Sequence, residues 1–195
     1  MRTLKLQIQL SIDGCIAGPN GEMDWMTWDW DEALKQQVDE LHQTVDTIIM
    51  GLSFSEGFIP HWKKVAQQAD HPEKAFGQFI MDTEKVIFTR SPNRGQKINA
   101  DWPYAHLSDD SLKDGLLNMK QKSGGDIIVY GGSQFVSSLL RESLIDELNL
   151  FINPVALGKG IPIFHQLSER QNYEVDLVRK FDCGIVLLRY KKQDS

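Results

Sequence analysis

The sequence predicts one α/β domain over residues 1–195. A mainly parallel central sheet is covered by helices on both faces, in three layers, and a C-terminal antiparallel hairpin extends one edge. Three observations carry this. Short apolar runs alternate with segments of helical period through most of the chain. Two of those runs end in glycine where a helix follows, at Gly51 and at Gly131-Gly132. The tail holds two β-patterned runs, 173–181 and 185–191, joined by Asp182-Cys183-Gly184.

The elements follow in order. Leu4, Leu6, Ile8, Leu10 and Ile12 alternate with Lys5, Gln7, Gln9, Ser11 and Asp13, giving a strand with one aliphatic and one polar face. Asp13-Gly14 ends it, and Gly18-Pro19-Asn20-Gly21 forms a loop. From Asp31, Leu34, Val38 and Leu41 stand at helical spacing. The apolar runs 45–50 and 85–89 are strands, with helical stretches between them at 62–68 and 72–81. A short strand covers 104–107, and Asp109 or Asp110 caps a helix carrying Leu112, Leu116 and Met119. Residues 126–130 form a strand, and Phe135, Val136, Leu139 and Leu140 mark the next helix. The run 145–155 contains another strand.

Composition narrows the function classes. A chain that is 41% hydrophobic and 25% charged supports a packed core, and a net charge of −6 argues against general nucleic-acid binding. Cys15 and Cys183 match no metal or redox spacing, which suits a reducing cytoplasmic compartment. The five histidines show no ligand spacing, so no metal is expected. The N-terminal alternation predicts neither a signal peptide nor a membrane span.

The chemistry concentrates at the glycine junctions. Glycine lets backbone approach a phosphate closely, and a helix N-terminus favours its charge. Two such junctions, 48–54 and 127–134, suit a ligand with two phosphates, although the same glycines also serve plain tight turns. Neither G-x-G-x-x-G nor the P-loop pattern occurs.

The ordered set Ser11-Ile12-Asp13-Gly14-Cys15-Ile16-Ala17-Gly18-Pro19-Asn20-Gly21, Asp24-Trp25, Met50-Gly51, Gly131-Gly132, Asp146-Glu147-Leu148 and Pro154-Val155-Ala156-Leu157-Gly158-Lys159-Gly160 resembles the dihydrofolate reductase superfamily. Within it, the chain is most similar to the reductase domain of the bifunctional riboflavin-biosynthesis deaminase-reductase and its stand-alone relatives. The resemblance spans residues 4–190. It implies a dihydrofolate-reductase-like fold, NADPH as cofactor, and reduction of a small pyrimidine- or pteridine-like substrate. Gly131 and Gly132, with Ser133, Gln134 and Phe135, correspond to the pyrophosphate turn, and Ile16 and Ala17 to backbone lining the nicotinamide. Thr89, Arg90 and Ser91 correspond to the segment meeting the adenosine phosphate, where an Arg guanidinium is chemically apt.

One stretch departs from the family. Where relatives read Gly-Arg-Lys-Thr-Tyr-Glu, this chain has Gly51-Leu52-Ser53-Phe54-Ser55-Glu56. Gly51, Ser53 and Phe54 still fall at the cofactor position, but Leu52 cannot donate to phosphate, so Ser53, Ser55 and Arg90 are left to do so. Asp13, which ends the polar strand face and matches the family's Ser-Leu-Asp-Gly acid, is the first candidate catalytic group. Trp25 is the second, with Trp28 and Trp30 beside it as either pocket wall or packing. The Leu-Pro-x-Asp pattern of true dihydrofolate reductases is missing around Asp29, Asp31 and Glu32. The resemblance also implies a homodimer through residues 146–155 and the terminal strands. Dihydrofolate reductase activity proper, or a weakly catalytic nucleotide-binding or dimerisation module, are the alternatives.

Overall fold

The computed structural model describes residues 1–90, 102–108 and 110–193. Its main sheet has eight strands in the order β5-β4-β3-β6-β1-β7-β10-β9. These are β1 (Leu4–Leu10), β3 (Val45–Gly51), β4 (Glu84–Phe88), β5 (Ala105–Ser108), β6 (Asp126–Val129), β7 (Glu147–Ile152), β9 (Tyr173–Lys180) and β10 (Val186–Lys192). The six from β5 to β7 run parallel, and β10 and β9 add the antiparallel edge. The fold class is therefore as the sequence predicts.

Two layers of helix cover the sheet. On one face α4 (Leu112–Gln121) and α5 (Ser133–Arg141) bury Leu116, Val136, Leu139 and Leu140 against Leu4, Leu6, Ile8 and Leu10 of β1. Each of these side chains is worth about 2 kcal/mol of burial. On the other face lie α1 (Glu32–His42), α2 (Leu52–Ala66) and α3 (Lys74–Asp82), whose Leu41, Ile59, Trp62, Val65 and Ile80 pack on Ile48, Met50 and Ile87. Asp31 starts α1 by accepting from the Leu34 N–H at 2.8 Å, and its other oxygen takes the Cys183 N–H at 3.0 Å, tying the hairpin turn to the helix.

The structure corrects several local expectations. The helix anticipated at 62–68 begins ten residues earlier, at Leu52. Gly57 and Pro60 interrupt the helical signal, yet Leu52, Ser55, Ile59, Trp62 and Val65 form one buried stripe whose tertiary packing outweighs them. The cap of α4 is Ser111, whose hydroxyl accepts from the Asp114 N–H at 3.2 Å; Asp110 is not the cap, and Asp109 lies outside the described residues. Part of the expected loop forms a short strand, β2 (Cys15–Ala17), paired with β8 (Ile161–Pro162).

The polar face of β1 is accommodated inside the fold. β1 is central, so that face lies beneath α1 rather than in water, and Lys5 and Gln7 are buried. Each finds a partner: Lys5 Nζ meets Asp126 Oδ2 and Thr44 Oγ1, both at 2.8 Å, and Gln7 Oε1 lies 2.7 Å from His42 Nε2. Gln9 Oε1 accepts from Asn153 Nδ2 at 3.1 Å.

Burial, with repulsion from Lys5, pushes the His42 imidazole from an ordinary value of 6.5 down to about 4. Between those values the unfolded chain binds more protons than the folded one, so stability rises with pH across that window. Stability is expected to fall by about 3 kcal/mol from pH 7 to pH 4, measured by urea unfolding, with the His42 share absent in His42→Gln.

Candidate functional site

β3 and β6 are adjacent parallel strands, but the chain leaves them for opposite faces of the sheet. α2 follows β3 onto the face of Ile48 and Met50, whereas α5 follows β6 onto the face of Leu4 and Leu6. Such a divergence opens a crevice at the carboxyl ends of the two strands, where open α/β sheets bind ligands. Gly51 and Gly132 are the N-caps of α2 and α5, and neither helix start has a side-chain cap bond. Two sets of helix N–H groups thus open on one crevice.

The two turns interlock. A Cβ built on Gly131 would stand 3.2 Å from the Phe54 ring, and one on Gly51 would stand 3.4 Å from Phe135. Each helix therefore lays a phenylalanine on the other's glycine. The peptide between Gly131 and Gly132 is cis. Phe54 holds its place in the departed motif by covering this turn, a packing role that glycine makes room for. Leu52 is not a phosphate-facing residue but part of the core, and Ser55 is buried with its hydroxyl donating to Leu52 O at 2.7 Å. Ser55 is therefore unavailable to an anion, while Ser53 and Gln134 are exposed and Ser133 is half-buried beside them.

The expected site residues come from distant segments but lie over four neighbouring strands. Thr89 and Arg90 follow β4, Gly51 ends β3 with Ser53 and Phe54 after it, Gly131 to Phe135 follow β6, and Asp13, Ile16 and Ala17 follow β1. At one strand spacing each, the row spans about 14 Å. Arg90 is exposed, and Ser91 lies outside the described residues. Ile16 is half-buried against the main core; Ala17 is buried, and its carbonyl faces Gly160 so closely that a Cβ there would lie 2.6 Å away.

Asp13 sits at the β1 end of the row as a latch. Its carboxylate accepts from Ser11 Oγ at 2.7 Å, Leu157 N at 3.1 Å and Gly158 N at 2.7 Å. The Ser11 hydroxyl, with the two backbone N–H groups, lowers its pKa to about 2. It is thus an acceptor at neutral pH and does not hold a proton to give. Trp25 is half-buried and donates to Glu22 O at 3.0 Å, whereas Trp28 is exposed. Trp30 is packing: it stacks on Phe151 with ring centroids 6.3 Å apart. Asp31, with both oxygens used at the α1 cap, is no free acid.

Sequence reasoning missed two groups. Asn153 is fully buried and accepts from Thr27 N at 2.8 Å, pinning the tryptophan loop to the end of β7. Tyr130, directly before the glycine pair, places its hydroxyl 3.1 Å from His42 Nε2. Both resemble ordinary core residues in sequence, and only the strand order brings them to the site. Among the described residues, no group of three His, Cys, Asp or Glu is placed to hold a metal ion, and no helix is long and apolar enough to cross a membrane.

Comparison with known proteins identifies the family and the fold. The family model described as the RibD C-terminal domain matches residues 2–187. The uncharacterized protein YyaP of Bacillus subtilis (strain 168) is 29% identical over 191 residues, covering 97% of this chain and 94% of that protein. A deaminase/5-amino-6-(5-phosphoribosylamino)uracil reductase from Thermotoga maritima superposes with a TM-score of 0.66 at 20% identity, over 98% of this chain and 57% of that one. Dihydrofolate reductase from Enterococcus faecalis gives 0.55 at 15%, over 98% and 97%. The two structural likenesses show the shared dihydrofolate-reductase-like fold.

Asp13→Asn retains the side-chain size but loses the charged acceptor, so the Leu157 and Gly158 amides are expected to exchange with deuterium roughly tenfold faster. Unchanged exchange at both would remove the latch role.

Proposed function

Because the chain belongs to the RibD C-terminal domain family, we propose that it is an NADPH-dependent reductase of a small pyrimidine- or pteridine-like heterocycle. The observation that carries this reading is the crevice between β3 and β6, where two uncapped helix N-termini meet at glycines. Those N–H groups suit the two phosphates of a dinucleotide, and the absence of side chains at Gly51, Gly131 and Gly132 lets the backbone approach them. The row across β4, β3, β6 and β1 matches an extended ligand: Arg90 toward an adenosine phosphate, Ile16 and Ala17 toward a nicotinamide.

A reduced nicotinamide supplies the hydride when it is bound. The chain's own residues orient and exclude. The Asp13 latch fixes residues 157–158 beside the β1 end, and Asn153 fixes the loop carrying Trp25 and Trp28 over the same end. Between them a planar ring would be held near β1, and the exposed Asp13 carboxylate could also accept from a substrate N–H. The Thermotoga protein's substrate, a phosphoribosylaminouracil, is one member of the class proposed. Phe54 on the Gly131-Gly132 turn favours a second reading, a nucleotide-binding module with little turnover, because a ligand reaching that turn must share it with the ring.

A homodimer belongs to the same proposal. On the outermost strand β9, Val175 and Val178 are 56% and 61% exposed. A register shift between Arg189 and Tyr190 sets them opposite Tyr190 and Leu188, so both valines share one face with those half-buried side chains. A second copy would cover that apolar strip.

Titration with NADPH and NADH, followed by nicotinamide fluorescence, is expected to give saturable binding with NADPH preferred. Arg90→Gln should raise the NADPH Kd about tenfold and leave NADH nearly unchanged. No response to either nucleotide at millimolar concentration contradicts the reading, and binding without oxidation across a panel of pterins and aminouracils favours the module. Light scattering at micromolar concentration should give a dimer that Val178→Asp converts to monomer; a wild-type monomer contradicts the interface.

A further inference from the structure

The Gly131-Gly132 turn is held from two sides. Phe54 covers it from the crevice, and Phe54 in turn packs on Phe58 with ring centroids 4.9 Å apart. Behind the turn, Tyr130 is enclosed by Phe58 of α2 at 5.7 Å, Phe76 of α3 at 5.7 Å and His42 of α1 at 6.0 Å between ring centroids. Its hydroxyl lies 3.1 Å from His42 Nε2, and that same nitrogen lies 2.7 Å from Gln7 Oε1 on β1. His42 is itself stacked on Phe79 at 4.5 Å, so the imidazole is not free to turn away.

From this arrangement we infer that Tyr130 is a positioning residue for the dinucleotide turn, anchored through its hydroxyl on His42 and thence on β1. Tyr130 is the last residue before Gly131, so its backbone sets where the N–H groups of Gly131 to Ser133 point. Glycines cannot fix that direction themselves, since they carry no side chain and few conformational restraints. Ring packing fixes the depth of Tyr130 and the hydroxyl fixes its rotation and height against α1. Three aromatic rings confine this contact, in which the hydroxyl shares His42 Nε2 with Gln7 Oε1, and it is the side chain's only polar tie among the described residues. The inference deepens the NADPH-reductase reading and rests on it for its ligand, but the anchoring itself is a property of the free protein.

The test uses the whole chain. Tyr130→Phe keeps the ring and its contacts and removes the hydroxyl alone; His42→Leu removes the partner and keeps Tyr130. Hydrogen–deuterium exchange without ligand is expected to show the amides of residues 131–133 exchanging about fivefold faster in both variants, with α5 beyond its first turn unchanged in both and β1, whose Gln7 loses its partner only in His42→Leu, unchanged in Tyr130→Phe. The NADPH Kd should rise by a similar factor while kcat on a reducible substrate stays within twofold. Wild-type exchange at residues 131–133 in Tyr130→Phe overturns the inference, as does faster exchange spread through β6 and α5, which marks general loosening. Local faster exchange in a protein that binds no nicotinamide dinucleotide supports the anchor and overturns the cofactor reading instead.

Discussion

The site depends on a row of polar side chains along the central strand, Lys5 and Gln7 buried and Gln9 half-buried. Lys5, Gln7 and Gln9 leave β1 on the face covered by α1, where an unpaired polar group costs about 1–3 kcal/mol. They therefore have to be met, and what meets them fixes the surroundings. Lys5 takes Asp126 and Thr44 at the starts of β6 and β3, setting the register of the strands that bound the crevice. Gln7 takes His42, which reaches Tyr130 at the glycine turn. Gln9 takes Asn153, which holds Thr27 and the tryptophan loop. One strand face thus connects the sheet to both walls of the site.

Above that row, the crevice is made by backbone rather than by charge. Within a chain of net charge −6, local N–H groups would have to hold the phosphates of the proposed cofactor against the global field. Neighbouring helix starts at Gly51 and Gly132 supply them, and Phe54 and Phe135 lock each turn against the other. The same interlock explains the departure from the family's usual motif. Leu52 completes the core under α2 and Phe54 covers the glycine pair, so the substituted positions are used for packing. The buried Lys85 works in a similar way away from the site: its ammonium donates to Met81 O, Thr83 O and Pro103 O and closes the end of α3.

Much of this was legible in the sequence, for reasons that differ by element. The period of β1, the helical spacing that begins after Asp31 and the glycine junctions are local signals, and they placed the strands and the two glycine turns. The start of α2 was hidden because Gly57 and Pro60 break its pattern while its buried stripe needs tertiary contacts to be recognised. The partners of the polar face of β1 were not legible because they are 35 to 144 residues away. Asp13 was found for its position, but its hydrogen bonds to Leu157 and Gly158 show a latch that composition cannot display. Asn153 and Tyr130 carried no signal of their own. Their importance comes from strand order, which sets β7 beside β1 and β6 between β1 and β3.

The most direct measurement is amide exchange of the intact chain with and without saturating NADPH. The account predicts strong protection in two separate segments at once, residues 51–54 and 131–135, with weaker protection beside Arg90 and at Ile16 and Ala17. Protection confined to one turn, or placed away from the β3–β6 crevice, would contradict a dinucleotide held by paired helix N-termini.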